Sequence, residues 1–223
     1  MDIRINRIDP TQTTVVEQIA RVYREAFGGA PWYETWDIET IKKDFSNEMK
    51  RRGAVCVVAQ IEAEVVGFAW GYTISTPDPA LEEHLDAPGI HNALYGNYFY
   101  LDECAVTPSQ HGRGIGKKIV QAIFAEQKHA QALLRTKDGS PMFHLIARMG
   151  GNVIQRISGE RVIMWIGTRV SHTSSSHNTA DRVYVQGDGY RSRSEVEKSG
   201  TIYDPHYGYV TNDFWAMMID TDM

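Results

Sequence analysis

Ala105-Val106-Thr107-Pro108-Ser109-Gln110-His111-Gly112-Arg113-Gly114-Ile115-Gly116 is the stretch that decides the fold. Upstream of it, Tyr98 to Val106 is a strong strand pattern, stopped by Pro108. Downstream, Ile115, Ile119, Val120, Ile123 and Phe124 fall on one helical stripe. Glycines between a strand and a helix let backbone N–H groups approach an anion, and the helix N-terminus adds partial positive charge. The loop is therefore suited to a phosphate. Two well-known phosphate loops do not fit. The dinucleotide fingerprint needs a third glycine three residues after the second, where Lys117 stands after Gly112 and Gly114, and the nucleoside-triphosphate loop needs four residues between its glycines followed by Lys-Ser or Lys-Thr.

Working outward, Ile3 to Ile8 alternates as a strand, and Pro10-Thr11 opens a helical pattern carrying Val15, Ile19, Val22, Tyr23 and Phe27. Gly28-Gly29-Ala30-Pro31 ends it. After an aromatic loop, Asp37 can cap a second helix with Ile38, Ile41, Phe45 and Met49 on its inner face. Ala54 to Ile61 and Glu64 to Ile74 predict an antiparallel hairpin across Glu62-Ala63. The connection from Ser75 to Gly96 holds three prolines and a local helical tendency around Leu81 to Leu85. Beyond the central helix come a short strand over Ala132 to Thr136, a brief helix from Ser140-Pro141 to Gly150-Gly151, and a hairpin of Val153 to Ile157 with Arg161 to Ile166. The predicted order is β-α-α-β-β-β-α-β-α-β-β.

After about Val170 the texture becomes Ser-His-Thr-Ser-Ser-Ser-His-Asn, a linker pattern. Order signals return at Val183-Tyr184-Val185, Thr201 to Tyr209 and Phe214 to Ile219. The expected division is a domain over residues 1–170 and an ordered extension over 171–223, packed on the core or on a second chain as in a homodimer.

The 223 residues, 42% apolar and 23% charged, describe a globular protein with room for one main domain and an appendage. A net charge of -5 with scattered Lys and Arg leaves no footprint for nucleic acid, and an acidic balance suits a cationic substrate. The start lacks a signal pattern and the longest apolar run, Ala54 to Ala59, is far short of a bilayer span, so no membrane partner and a cytoplasmic location are expected. Only Cys56 and Cys104 occur, each in a strand-like run, as for reduced, buried thiols. Eight histidines show no metal-ligand spacing.

With Val106-Thr107-Pro108 before it, the spacing of His111, Gly114 and Gly116 resembles the acetyl-CoA loop of the GCN5-related N-acetyltransferase (GNAT) superfamily. That pattern is Gln or Arg, two residues, Gly, one residue, then Gly or Ala. The resemblance extends over the order of elements from Ile3 to Ile166. It implies an α/β (α+β) fold with a mixed, mostly antiparallel central sheet flanked by helices, acetyl-CoA as co-substrate and transfer to an amine. It also implies cofactor contacts from Cys104, Ala105 and Val106, from His111 through Lys117, and from Ser140, which stands where the family has Asn. The strand before the loop is expected to splay from its neighbour so that the thioester lies between them. His111 replaces the usual Arg or Gln, and Ile146 the Tyr that many members use as general acid.

An amine must be neutral to attack a thioester, so the site needs a base, an oxyanion donor and a proton for the leaving thiolate. Asp102 is the first candidate base and Glu103 the second, and strand alternation sends their side chains to opposite faces. Leu101-Asp102-Glu103 followed by Ser109 to Gly114 is similar to the aminoglycoside 6′-N-acetyltransferases, which implies that Asp102 handles the amine. Trp32, Tyr33, Glu34 and Trp36 could hold a cationic amine or simply cap the core. Cys104 has no His partner in sequence to make it a nucleophile. From a different class, a non-catalytic acyl-CoA sensor with this fold is the alternative.

Overall fold

The computed structural model describes residues 2–76, 96–157 and 159–167 and, by backbone, four short strands between 182 and 210. The elements are β1 (Ile3–Arg7), α1 (Thr13–Phe27), α2 (Ile38–Glu48), β2 (Val55–Ile61), β3 (Glu64–Thr76), β4 (Gly96–Val106), α3 (Ile115–Glu126), β5 (Gln131–Lys137), α4 (Pro141–Arg148), β6 (Asn152–Ile157) and β7 (Arg161–Gly167). This is the order expected from the sequence. One boundary moves: Asp9 Oδ1 accepts the Thr11 N–H at 2.9 Å and its hydroxyl at 2.7 Å, which holds a turn there and delays α1 to Thr13. Asp37 caps α2 as expected, accepting from the N–H groups of Glu39 and Thr40.

Seven strands form one sheet in the order β1-β2-β3-β4-β5-β7-β6. Every recorded pairing in it is antiparallel except β4 with β5. The β2 to β3 hairpin closes over Glu62-Ala63 although neither is a favoured turn residue, and Glu62 takes a positive φ of 58°. Phe68 and Trp70 face one way, into a core shared with Ile19, Val22, Tyr23, Ile41 and Phe45 of α1 and α2. Gly67 faces the other way, where an added Cβ would come within 2.8 Å of Ile119 Cδ1 on α3. Helices therefore cover both faces, each by the apolar stripe legible in its sequence.

A β-bulge interrupts the pairing of β3 with β4. Trp70 lies opposite Glu103 but Gly71 lies opposite Leu101, so Asp102 is the extra residue. Gly71 suits this spot because a Cβ there would collide with the Tyr100 carbonyl oxygen. Pairing of β4 with β5 is recorded only at Phe99 with Ala132 and Tyr100 with Leu133, although both strands continue. The two strands part where the bulge begins.

Residues 1–151 with 155–169 make one compact unit, and residues 152–154 with 170–223 another. The second unit contains a four-stranded sheet of β8 (Arg182–Gln186), β9 (Gly189–Ser192), β10 (Ile202–Asp204) and β11 (Gly208–Val210), in the order β10-β11-β8-β9. The helical tendency of 81–85, the linker after Val170 and the apolar run 214–219 lie outside the described residues. No helix among the described residues is long and apolar enough to cross a membrane.

Candidate active site

After β4, a single 3-10 turn at Pro108–Gln110 reverses the chain into the glycine loop. Gly112 and Gly114 have φ of 77° and 74°, a region L side chains rarely adopt, and a Cβ on either would point into open space. Gly114 is the N-cap of α3 and brings no capping side chain. Among the described residues no acceptor takes the backbone N–H groups of residues 112–117. An open arc of orphan donors at a helix N-terminus fits a phosphate.

Side chains of the loop behave differently from the backbone. The His111 Nε2–H donates to the carbonyl oxygen of Val106 at 2.8 Å, since a carbonyl can only accept, and so ties the loop to the end of β4. Arg113 donates to the side chain of Gln110. Ile115 is 1% exposed, so it offers a ligand its backbone alone. Lys117 is exposed.

The opening between β4 and β5 leads into a cavity of about 120 Å³. Leu101, Asp102, Glu103 and Cys104 line it from β4, Leu134, Arg135 and Thr136 from β5, and Tyr23, Phe27, Trp32, Glu34, Met142 and Arg161 complete it. Asp102 and Glu103 both reach the face covered by α1 and α2, which corrects the expectation that alternation separates them. Glu103 faces the Tyr23 hydroxyl, which donates to its Oε1 at 3.1 Å, while Asp102 meets Glu48 of α2. The bulge places two consecutive side chains on one side.

That crowding sets the electrostatics. Burial, then the charge of Glu48 and a hydrogen bond to it, lift the Asp102 carboxyl from 3.8 to about 7. Arg51 and Arg135 pull the other way. Burial and then Asp102 hold Glu103 well above its ordinary value. Tyr23 is likewise pushed up by burial and by Glu103, and stays a neutral donor. Its ring packs against Phe68 and Trp70, with centroids 6.1 and 6.0 Å away.

Of the aromatic loop, Trp32 and Glu34 line the cavity. Trp36 does not, but its Nε1–H donates to Glu34 Oε2 at 2.8 Å and orients that carboxylate. Tyr33 is 75% exposed and is no part of the wall. Ser140 is 3% exposed, its hydroxyl accepts the Phe143 N–H at 3.1 Å as the cap of α4, and it shares a hydrogen bond with Thr136. Ser140→Ala should therefore cost about 0.5–2 kcal/mol in a urea melt while leaving ligand binding at the glycine loop intact. Ile146 is fully buried, so a side chain at that position enters the core rather than the cavity. Cys104 is half-buried rather than enclosed.

Sequence reasoning missed Tyr23, Glu48, Arg135, Met142 and Arg161. Tyr23 was read as part of a helix's inner stripe, and it does pack there. Its hydroxyl end alone reaches the site.

The sequence profile of the family described as Acetyltransferase (GNAT) family matches residues 16–150. No curated protein matches the chain in sequence. Among solved structures, the ribosomal-protein-S18-alanine N-acetyltransferase from Escherichia coli superposes with a TM-score of 0.53 at 13% identity, over 79% of this chain and 100% of that one. PaiA N-acetyltransferase from Thermoplasma acidophilum, in complex with coenzyme A, gives 0.51 at 18% identity, over 75% and 99%. Aminoglycoside 6′-acetyltransferase type Ii gives 0.52 at 14% identity, over 74% and 97%. At such identities these likenesses speak for the fold.

Proposed function

Since the chain belongs to the acetyltransferase (GNAT) family, we propose that it transfers the acetyl group of acetyl-CoA directly to a primary amine. Acetyl-CoA is the co-substrate and supplies the activated acyl thioester. The observation that carries the reading is the parting of β4 from β5 at the bulge, beside two half-buried carboxylates, on the strand that runs into the glycine loop.

In this reading the N–H groups of residues 112–117 bind the pyrophosphate, and the pantetheine arm enters between β4 and β5. A backbone N–H near Cys104 to Val106 faces the developing oxyanion. Asp102, poised near neutrality, takes a proton from the incoming ammonium, and the freed lone pair attacks the thioester carbonyl. As the C–S bond breaks, the second proton shed by the nitrogen neutralises the CoA thiolate. Glu103, held by Tyr23, and Glu34, held by Trp36, provide the negative surface that draws in the cation.

Direct transfer is favoured over an acyl-cysteine route. Burial, and then Glu103, push the Cys104 thiol up to about 12, so almost none of it is thiolate at neutral pH. Cys104→Ala is expected to keep kcat within about threefold, and a burst of acetyl-enzyme in the native protein would sink direct transfer.

The division proposed is an acetyltransferase domain over 1–170 and an extension over 171–223, in a cytoplasmic protein that could pair with a second copy. Nothing in the described residues favours a sensor without turnover. Titration calorimetry with acetyl-CoA, followed by thiol release over an amine panel, tests the proposal. Micromolar binding with turnover supports it, and absent binding refutes the loop assignment.

A further inference from the structure

Across the pairing of β5 with β7, Lys137 stands directly opposite Arg161. Side chains opposite one another in an antiparallel pair share a face, and like charges so placed repel. Among the described residues neither cation has a carboxylate partner. The Lys137 ammonium donates to the Pro31 carbonyl oxygen at 2.7 Å and lies 5.3 Å from the centre of the Trp32 ring. Both partners are neutral. The Arg161 side chain makes no hydrogen bond or ion pair among the described residues, and the nearby Asp138 is taken by Arg156. Arg161 is nonetheless half-buried and lines the cavity. Arg135, in the same cavity, acts on Asp102 and Glu103, offsetting part of the upward shift of their carboxyls.

Half-burying a guanidinium costs solvation, and setting it against a second cation adds repulsion. A negative charge from outside the chain would offset both. We infer that the acceptor amine carries a carboxylate, and that Arg161, with Lys137 beside it, is the residue that recognises it. This rests on the cavity being the acceptor site. The planar fork of Arg161 suits bidentate binding of a carboxylate, and the acids Glu34, Asp102 and Glu103 line the same cavity for the ammonium end. A volume of about 120 Å³, below the roughly 300–1,000 Å³ of sites for drug-sized ligands, suits an acceptor with its amine and carboxylate a few bonds apart, as in an amino acid. A polycation would bring a further positive charge against Arg161.

The test uses the full chain with acetyl-CoA and matched acceptors: glycine, L-alanine and β-alanine, each beside its own carboxamide, with spermidine as polycation. The native protein should prefer the acids. Arg161→Gln should lower kcat/KM for the acids by about 10- to 100-fold, mostly through KM, and leave the carboxamides within about threefold. Arg161→Lys should fall between. Acetyl-CoA affinity, measured by calorimetry on each variant, should be unchanged and would also report misfolding. Equal losses on acids and carboxamides, a native preference for carboxamides or spermidine, or acetyl-CoA binding without turnover of any acid would overturn the inference and leave the cofactor site standing. Failure of the native protein to bind acetyl-CoA would overturn the reading of the site and the inference together.

Discussion

Asp102→Asn is expected to lower kcat by about 10²–10⁴-fold, the range for loss of a general base, while making the folded protein more stable at pH 8. Both effects follow from one position. The bulge holds the Asp102 carboxyl half-buried beside Glu48, and its pKa rises from 3.8 to about 7. Between those two values the folded chain keeps a proton that the unfolded chain has released. Its contribution to stability is therefore fully present below about pH 4 and is lost as pH rises through 7. Above that, the native protein carries an ionised carboxylate in a place that disfavours it. Asparagine is nearly the same shape and cannot ionise, so thermal melts should show a gain of about 1–2 kcal/mol at pH 8 that vanishes near pH 4. The native rate should climb as pH passes through 7. Unchanged turnover in Asp102→Asn would remove it as the base and direct attention to Glu103→Gln.

The second large effect belongs to the loop. Gly114→Val should weaken acetyl-CoA binding by 100-fold or more, on the order of two charge-assisted hydrogen bonds lost. Gly114 has φ of 74°, which valine adopts only at a cost of about 1–3 kcal/mol. Its Cβ would project into the open space above the orphan N–H groups, where the pyrophosphate is proposed to lie. Calorimetry reads the affinity, and a melt of the same sample separates it from global unfolding. Binding unchanged in a folded variant would mean that the loop is only a turn.

How much of this was legible in the sequence depended on how local the cause was. The element order, the Asp37 cap and the strand-loop-helix unit arise from neighbours in the chain, and all stand as expected. The parting of β4 from β5 was implied by family resemblance alone. The directions of Tyr33 and Ser140 were not legible because residue type says nothing about direction: one side chain turns to solvent, and the other closes a helix end. Asp102 and Glu103 were candidates from the sequence, but the alternation rule put them on opposite faces, whereas both line one cavity. Gly71 was the local trace of the exception, and by itself a strand glycine has several explanations.

By itself the sequence determined the fold, the stripes that bury each helix, and the glycine loop with its demand for positive φ. These follow from periodicity and from the conformations each residue permits. Tertiary structure alone decided which charges meet. It set Glu48 against Asp102, Tyr23 against Glu103 across 80 positions, and Arg161 opposite Lys137. Electrostatic environment depends on distance in space and on burial, and neither is written in the spacing along a chain.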